Sequence, residues 1–365
     1  VIDNPVFWNA EEPYLYDVEI SLLKAGKVIE VHSKRVGIRE SHIDYDNGIF
    51  MLNDTPVTFK GVNRHEYDPK NGRTVTYEQT KKELMLIKEN NFNAIRCSHY
   101  PNNPYFYELC SELGIYVLDE CDLETHGSWV TGDQGALSDN PSWLSAYMDR
   151  AERMYERDKN ETCIVVWSLG NESGNGQNLV KLSEYFAAAE VKKPIIYTQD
   201  DAKHPEYTDF YQVGYVPLWA VEEGDYFQRL YARYEKAKPV VFTEFAHMMG
   251  NSPGLLYDYW RYIYTHPTFV GGFIWEFKNH GVYKNGTYLY GGDFDDANNA
   301  YNFCLDGMLR SDSTPKPSLH EAKTVLSPVW AELANGRIQI LNTNDFRTLA
   351  YLDVRWELLE DYKGH

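Results

Sequence analysis

The stretch that decides the fold runs from residue 163 to residue 176, CIVVWSLGNESGNG. An apolar run, Cys163-Ile164-Val165-Val166-Trp167, gives way within a few residues to Gly170, Asn171, Glu172, Ser173 and Gly174. A short apolar run bounded by turn residues reads as a strand buried on both faces. Here that strand delivers a carboxylate into a glycine-rich turn. Strands buried on both faces belong to parallel sheets covered by helices, so the rest of the chain should repeat the pattern.

It does. Similar apolar segments occupy 59–63, 93–99, 115–120, 163–169, 194–199, 208–214, 239–245 and 269–277. Between most of them lie segments of helical period, at 76–91, 103–114, 143–160, 225–236 and 254–266. Eight short buried strands joined mostly by helices predict an α/β fold, a (β/α)8 TIM barrel over 43–329. A doubly wound sheet is the alternative, weakened because no GxGxxG follows the first strand. Residues 1–42, with strands at 14–22 and 27–31 around an AGK turn, read as the C-terminal part of an immunoglobulin-like β-sandwich. A hairpin, GIFMLNDTPVTF at 48–59, turns at Asn53-Asp54. The segment GRIQILNTNDFRTLAYLDVRWELLED reads as β again, so 330–365 is expected to begin a following β-sandwich.

The 365-residue chain has a net charge of −19, which argues against nucleic acid or an anionic membrane surface as partner. No apolar run approaches the roughly 18–20 residues of a membrane span. The start, VIDNPVFWNA, lacks an initiator Met and any signal-peptide pattern, so a fragment or processed form is expected and cytoplasmic residence is favoured. The cysteines, Cys97, Cys110, Cys121, Cys163 and Cys304, sit in apolar runs without a CxxC pair and read as reduced core residues.

Barrel active sites lie at the C-terminal ends of the strands. Read in order, those ends carry Asn63-Arg64-His65-Glu66; Arg96, Ser98, His99 and Tyr100; Asp119-Glu120 with Glu124 and His126; Asn171-Glu172; Tyr215; Glu244 and His247; and Trp275-Glu276. Either Glu172 or Glu244 alone would read as an exposed loop glutamate. Together, after the fourth and seventh strands, they face one another across a barrel. Facing carboxylates serve glycoside hydrolysis, one protonated to help the leaving oxygen depart and one ionised to attack or activate water. A separation of about 5–5.5 Å goes with retention of configuration and about 6.5–9.5 Å with inversion. Arg96 is expected to pair with Glu244, while Glu66, Asp119 and Glu120 read as structural polar groups.

GVNRHE (61–66), RCSHYPNNP (96–104), DLETHG (122–127), WSLGNESG (167–174) and FTEFAHMMGNSPG (242–254) together resemble glycoside hydrolase family 2, and most of all its large β-galactosidases. The resemblance covers essentially the whole chain. It implies that Glu172 is the acid/base and Glu244 the nucleophile of a retaining reaction on terminal β-D-galactosides. Asn171 would hold the sugar's 2-hydroxyl, and His65, His99, Tyr215, His247 and Trp275 would contact the sugar, with Trp275 as the stacking platform. Tyr215 sits in divergent surroundings, QVGYVPLW. The resemblance further implies Mg²⁺ on Glu124, His126 and Glu172, and Na⁺ on the Phe303 carbonyl and Asp306. In NFCLDG, Asp306 stands where the family leads one to expect an amide.

Other sugar specificities of the same family, glucuronide or mannoside, remain alternatives. So do a non-catalytic carbohydrate-binding fragment and a metal-dependent hydrolase. The family carries a sugar-binding domain before the barrel, so the chain alone is expected to be weak or inactive. Apolar edges at both ends are expected to drive association, and a homo-oligomer is expected of the full-length protein.

Overall fold

A computed structural model of the chain describes residues 2–199, 207–222, 237–355 and 357. The helix expected at 225–236 lies outside the described residues. At the start, β1 (Tyr16–Lys24) and β2 (Lys27–Val36) form an antiparallel hairpin. Its turn places Ala25 and Gly26 at φ 50° and 77°, the geometry that matches strand twist in a two-residue hairpin. The hairpin packs little: Ile20, Leu22, Val28, Ile29 and Val31 are all exposed. A small sheet follows, of β3 (Ser41–Asp44), β4 (Ile49–Leu52) and β5 (Thr55–Pro56), turning at Asn53-Asp54 as the sequence predicts.

The barrel comprises β6 (Phe59–Arg64), β7 (Ala94–Cys97), β8 (Tyr116–Glu120), β9 (Ile164–Asn171), β10 (Ile195–Thr198), β11 (Tyr211–Gly214), β12 (Val240–Phe245) and β13 (Phe269–Ile274). These eight strands pair in parallel in the order β10-β9-β8-β7-β6-β13-β12-β11. The ends of that order meet: Asp209 N donates to the Ile195 carbonyl at 2.7 Å and Gln199 N to Gln212 Oε1 at 3.1 Å. The chain therefore folds as a nearly closed TIM barrel, with each of the eight apolar segments supplying one strand. Every residue of β9 is buried, as a strand covered on both faces requires.

Around it lie α1 (Tyr77–Glu89), α2 (Pro104–Leu113), α3 (Leu144–Asp158), α4 (Gln177–Ala188), the short α5 (Leu218–Glu222), α6 (Leu256–Thr265) and α7 (Pro317–Val325). Their starts and stops are local chemistry. Thr76 and Gln79 form a reciprocal capping box on α1, and α2 opens on Pro104 and closes on Gly114 at φ 70°. On α3, Tyr147, Ala151, Met154, Tyr155 and Asp158 share the buried face at helical spacing. Among the described residues no helix is long and apolar enough to cross a membrane. Cys97, Cys110, Cys121 and Cys163 are buried free thiols, while Cys304 is half-buried.

Beyond the barrel proper, β14 (Val282–Lys284) pairs with β15 (Thr287–Leu289), and β16 (Val329–Ala334) with β17 (Arg337–Asn342). The expected strand after β17 does not form over 343–355, where the chain makes only a short 3-10 turn at Leu349–Tyr351. Part of this segment is held by a distant acceptor. The Glu11 carboxylate accepts from the amides of Asp345 at 2.7 Å, Phe346 at 3.1 Å and Arg347 at 2.7 Å, fixing the turn at 345–347.

Candidate active site

The C-terminal ends of the barrel strands converge on one polar cluster, centred on Arg96 at the end of β7. Its side chain is fully buried, and its donors reach Glu120, Glu244, Asn63 and Asn171, with His99 Nδ1 3.2 Å from Nη2. Nε and Nη2 reach Glu120 Oε2 and Oε1 at 2.7 and 2.9 Å, and Nη1 reaches Glu244 Oε1 at 2.6 Å. Nη1 also bonds Asn63 Oδ1 at 3.1 Å, and Nη2 bonds Asn171 Oδ1 at 2.8 Å. A planar guanidinium suits this fork because its donors point in fixed, diverging directions. Burial disfavours its charge, but Glu120 and Glu244 more than compensate and hold its pKa above the ordinary value. Burial disfavours the charge of Glu120 too and pushes its pKa up; Arg96 and His99 outweigh it and bring that carboxyl down to about 2.

Glu244 lies within β12, and its other oxygen accepts from the Tyr215 hydroxyl at 3.0 Å. Burial, and then the Glu244 charge, push the Tyr215 phenol up, with Glu172 adding to the effect. Tyr215 is placed by its backbone, whose N–H bonds the Glu244 carbonyl at 3.0 Å while φ is 44°.

Glu172 follows β9, and its N–H bonds the Thr198 carbonyl of β10 at 2.9 Å. At φ 36° it occupies a backbone region that side chains seldom adopt, which aims the carboxylate out of the strand. Gly170 makes the approach possible. At φ 140° it lies so close to the neighbouring loop that an added Cβ would stand 2.5 Å from the Leu123 carbonyl oxygen. That loop carries Glu124 and His126, and is tied down where Thr125 N donates to Ser173 Oγ at 2.8 Å. Asn171 Nδ2 donates to Glu124 Oε1 at 3.1 Å, and His126 Nδ1 lies 3.6 Å from Glu172 Oε2. Glu124, His126 and Glu172 each offer one ligand atom, all within 4.8 Å of one another. Two carboxylates and an imidazole on an open rim fit a hydrated divalent cation.

The aromatic and imidazole groups form a wall beside Arg96. His99 lies flat against Trp275, with ring centroids 5.5 Å apart and planes 12° apart, and its Nδ1 is 2.7 Å from Glu120 Oε1. His65 meets His99 and Trp275 edge-on at 5.5 and 5.7 Å. Burial, then the neighbouring His280 and His99, hold His65 well below its ordinary pKa, so it is a neutral imidazole at pH 7. His247 stands between Tyr215 and Phe303, at ring distances of 5.8 and 5.7 Å. The Trp275 indole donates to Asp306 Oδ2 at 3.0 Å, and His247 Nε2 is 3.8 Å from the same oxygen. A cavity of about 230 Å³ opens beside this wall, lined by His65, His99, Tyr100, Arg73, Glu124 and Trp143 among others.

The structure thus brings the sequence-predicted residues to one rim: Glu172, Asn171, Glu124 and His126 on one side, Glu244, Tyr215 and His247 on the other, His65, His99 and Trp275 between, and Phe303 and Asp306 against His247 and Trp275. Two further residues organise the site. Glu120, read from the sequence as a structural polar group, is the counter-ion that fixes Arg96, and its signal is a carboxylate at the end of a short, largely apolar strand. Asn63 ties three strands together, donating to the Thr243 and Phe273 carbonyls at 3.0 Å each while accepting from Arg96.

A nearly closed parallel barrel with two glutamates on its C-terminal rim, one gripped by a buried arginine, defines the chain's class. Family models agree and go further. Residues 43–331 match the model described as "Glycosyl hydrolases family 2, TIM barrel domain", and 1–39 match "Glycosyl hydrolases family 2". The chain belongs to glycosyl hydrolases family 2. Among curated relatives, the β-galactosidase of Pectobacterium atrosepticum is 36% identical over 382 residues, covering 99% of this chain and 36% of that protein. That of Priestia megaterium is 39% identical over 371 residues, covering 97% of this chain and 35% of that protein. The chain therefore spans about a third of the length of these relatives. Among solved structures, the β-galacturonidase of Eisenbergiella tayi superposes with a TM-score of 0.70 at 21% identity, over 89% of this chain and 60% of that one. The β-D-glucuronidase of Dictyoglomus thermophilum has a TM-score of 0.70 at 21% identity, over 89% and 59% of the two chains. These two likenesses speak to the fold.

Proposed function

We propose that this chain is the catalytic barrel of a retaining β-galactosidase. The observation that carries the reading is the seating of Glu244: one oxygen 2.6 Å from Arg96, the other 3.0 Å from the Tyr215 hydroxyl, on the rim that also bears Glu172. A carboxylate gripped this way is oriented for attack on an anomeric carbon. In the first step Glu172 gives its proton to the glycosidic oxygen as Glu244 forms the glycosyl ester. In the second, Glu172 takes a proton from water, which attacks the same carbon and restores the configuration. Asn171, adjacent to Glu172 in sequence, is placed to read the 2-hydroxyl, and Trp275 offers an apolar face to the sugar ring.

Glu124, His126 and Glu172 would hold Mg²⁺, which when bound supplies positive charge beside the Glu172 carboxyl. Galactose as the sugar is supported by the names of the two curated relatives above, both β-galactosidases.

The test uses the full-length protein. A 2-deoxy-2-fluoro β-galactoside with a good leaving group should trap a covalent ester, which peptide mass analysis should place on Glu244. Aryl β-D-galactoside should be cleaved in preference to the glucuronide and mannoside. A label on another residue, or an inverted product anomer by NMR, would end the two-glutamate assignment. A glucuronide preference would end only the galactose part.

A further inference from the structure

Behind Trp275, Asp306, the expected Na⁺ ligand, meets two ionisable side chains, Glu276 and His280, that the proposed sugar chemistry does not use. Glu276, His280 and Asp306 each offer one ligand atom, and the three atoms lie within 4.8 Å of one another. Glu276 is 1% exposed and Asp306 3%. Glu276 Oε2 and Asp306 Oδ1 are buried without a hydrogen-bond partner, while His280 Nε2 lies 3.4 Å from Glu276 Oε2. Two buried carboxylates side by side are costly unless a shared proton or a cation lies between them. The nearby cations are engaged elsewhere. Lys278 Nζ bonds Glu83 and, at 3.0 Å, the Tyr67 carbonyl, and Lys316 Nζ bonds the Met248 carbonyl at 2.9 Å.

The ligands are held by two stitched segments. Glu276 N bonds the Asp306 carbonyl at 3.2 Å, Met308 N bonds the Glu276 carbonyl at 2.9 Å, and His280 N bonds the Cys304 carbonyl at 2.7 Å. The cluster is therefore a preformed pocket rather than a chance approach of mobile side chains.

We propose that Glu276, Asp306 and His280 bind a divalent transition cation of the zinc or manganese class. Two carboxylates call for two positive charges, and Na⁺, which the family resemblance places at Phe303 and Asp306, supplies one. An imidazole suits a transition ion and is a poor ligand for an alkali cation. Mg²⁺ prefers to keep several waters, which suits the open rim at Glu124 and His126 better than this buried pocket. An ion here also fixes Asp306, and through its 3.0 Å bond to the indole fixes Trp275. The inference is independent of which sugar the rim accepts.

Zn²⁺ is the probe, applied to the full-length protein after chelator treatment. Crystals soaked in Zn²⁺ should give an anomalous difference peak bonded to all three side chains at about 2.0–2.2 Å. In solution, Glu276→Gln and His280→Asn should each weaken retained Zn²⁺ at least tenfold. His280→Asn keeps both carboxylates, so its effect isolates the imidazole, and it decides the matter together with the map if Glu276→Gln does not fold. Zinc bound at Glu124 and His126 would appear as a separate peak. The proposal fails if no peak lies among the three side chains or if His280→Asn leaves Zn²⁺ binding unchanged. It also fails if only Na⁺ raises the melting temperature, or if Glu276→Gln stabilises metal-free protein with no zinc peak, the sign of a shared proton.

Discussion

Arg96 Nη1 lies 2.6 Å from Glu244 Oε1, a buried contact between the ends of β7 and β12. Arg96 also anchors Glu120, Asn63 and Asn171, so one guanidinium sets the position of the nucleophile proposed here relative to the strand that bears Glu172. Arg96→Lys keeps the charge but not the fork. It should lower turnover of an aryl galactoside by about 10²–10³-fold, the scale seen when a preorganised donor is removed. Arg96→Met leaves Glu120 and Glu244 without their cation and should cost roughly 3–5 kcal/mol of stability, read by urea unfolding.

Glu120 gives a pH signature. Its folded pKa of about 2 lies below the ordinary 4.5. Its contribution to stability is therefore complete above pH 4.5 and is lost as pH falls toward 2. Wild type and Glu120→Gln should differ by roughly 3 kcal/mol at pH 7, with the gap narrowing once pH drops below 4.5. Urea unfolding from pH 7 to pH 3 measures it; a gap that widens on acidification would contradict the assignment.

Tyr215→Phe removes one donor to Glu244 from a side chain that is 43% exposed. Stability should change by less than about 1.5 kcal/mol. The rate of ester formation should fall by about 10²-fold, with KM nearly constant, because the lost bond orients the nucleophile rather than holding substrate.

Glu124→Gln tests the rim cation site. The Mg²⁺ concentration giving half-maximal activity should rise about 10–100-fold, while activity at saturating Mg²⁺ recovers in part. Chelating Mg²⁺ from the wild type should reduce activity without abolishing it, whereas a hydrolase that used the metal for its chemistry would lose all of it.

Gly307→Ala should destabilise the loop bearing Asp306. An added Cβ would stand 2.2 Å from the Lys278 carbonyl carbon, which is backbone and cannot swing aside. A loss of about 1–3 kcal/mol is expected in thermal or urea unfolding, the scale of overpacking.

Much of this was written locally in the chain. Apolar runs of strand length, helical spacing between them, the Thr76/Gln79 capping box and the Asn53-Asp54 turn are all readable from neighbours in sequence, because each depends on backbone periodicity or short-range hydrogen bonding. The strand-end residues were legible for the same reason, since once the strands are found a barrel puts their C-terminal ends on one face. The turn after β17 shows the limit. Three of its amides donate to Glu11, more than 300 residues away, and no local pattern announces such a partner.

The sequence by itself determined the barrel, its eight strands and the polar residues on its rim. Only the tertiary structure decided who touches whom. Arg96 divides its donors among Glu120, Asn63, Asn171 and Glu244, drawn from four other strands, and Glu276 meets Asp306 across two stitched loops. Periodicity specifies which way a side chain points along its own element. The partners of a buried charge are set by the closure of the barrel, because unpaired charge is costly there and each group must find its complement wherever the fold places one.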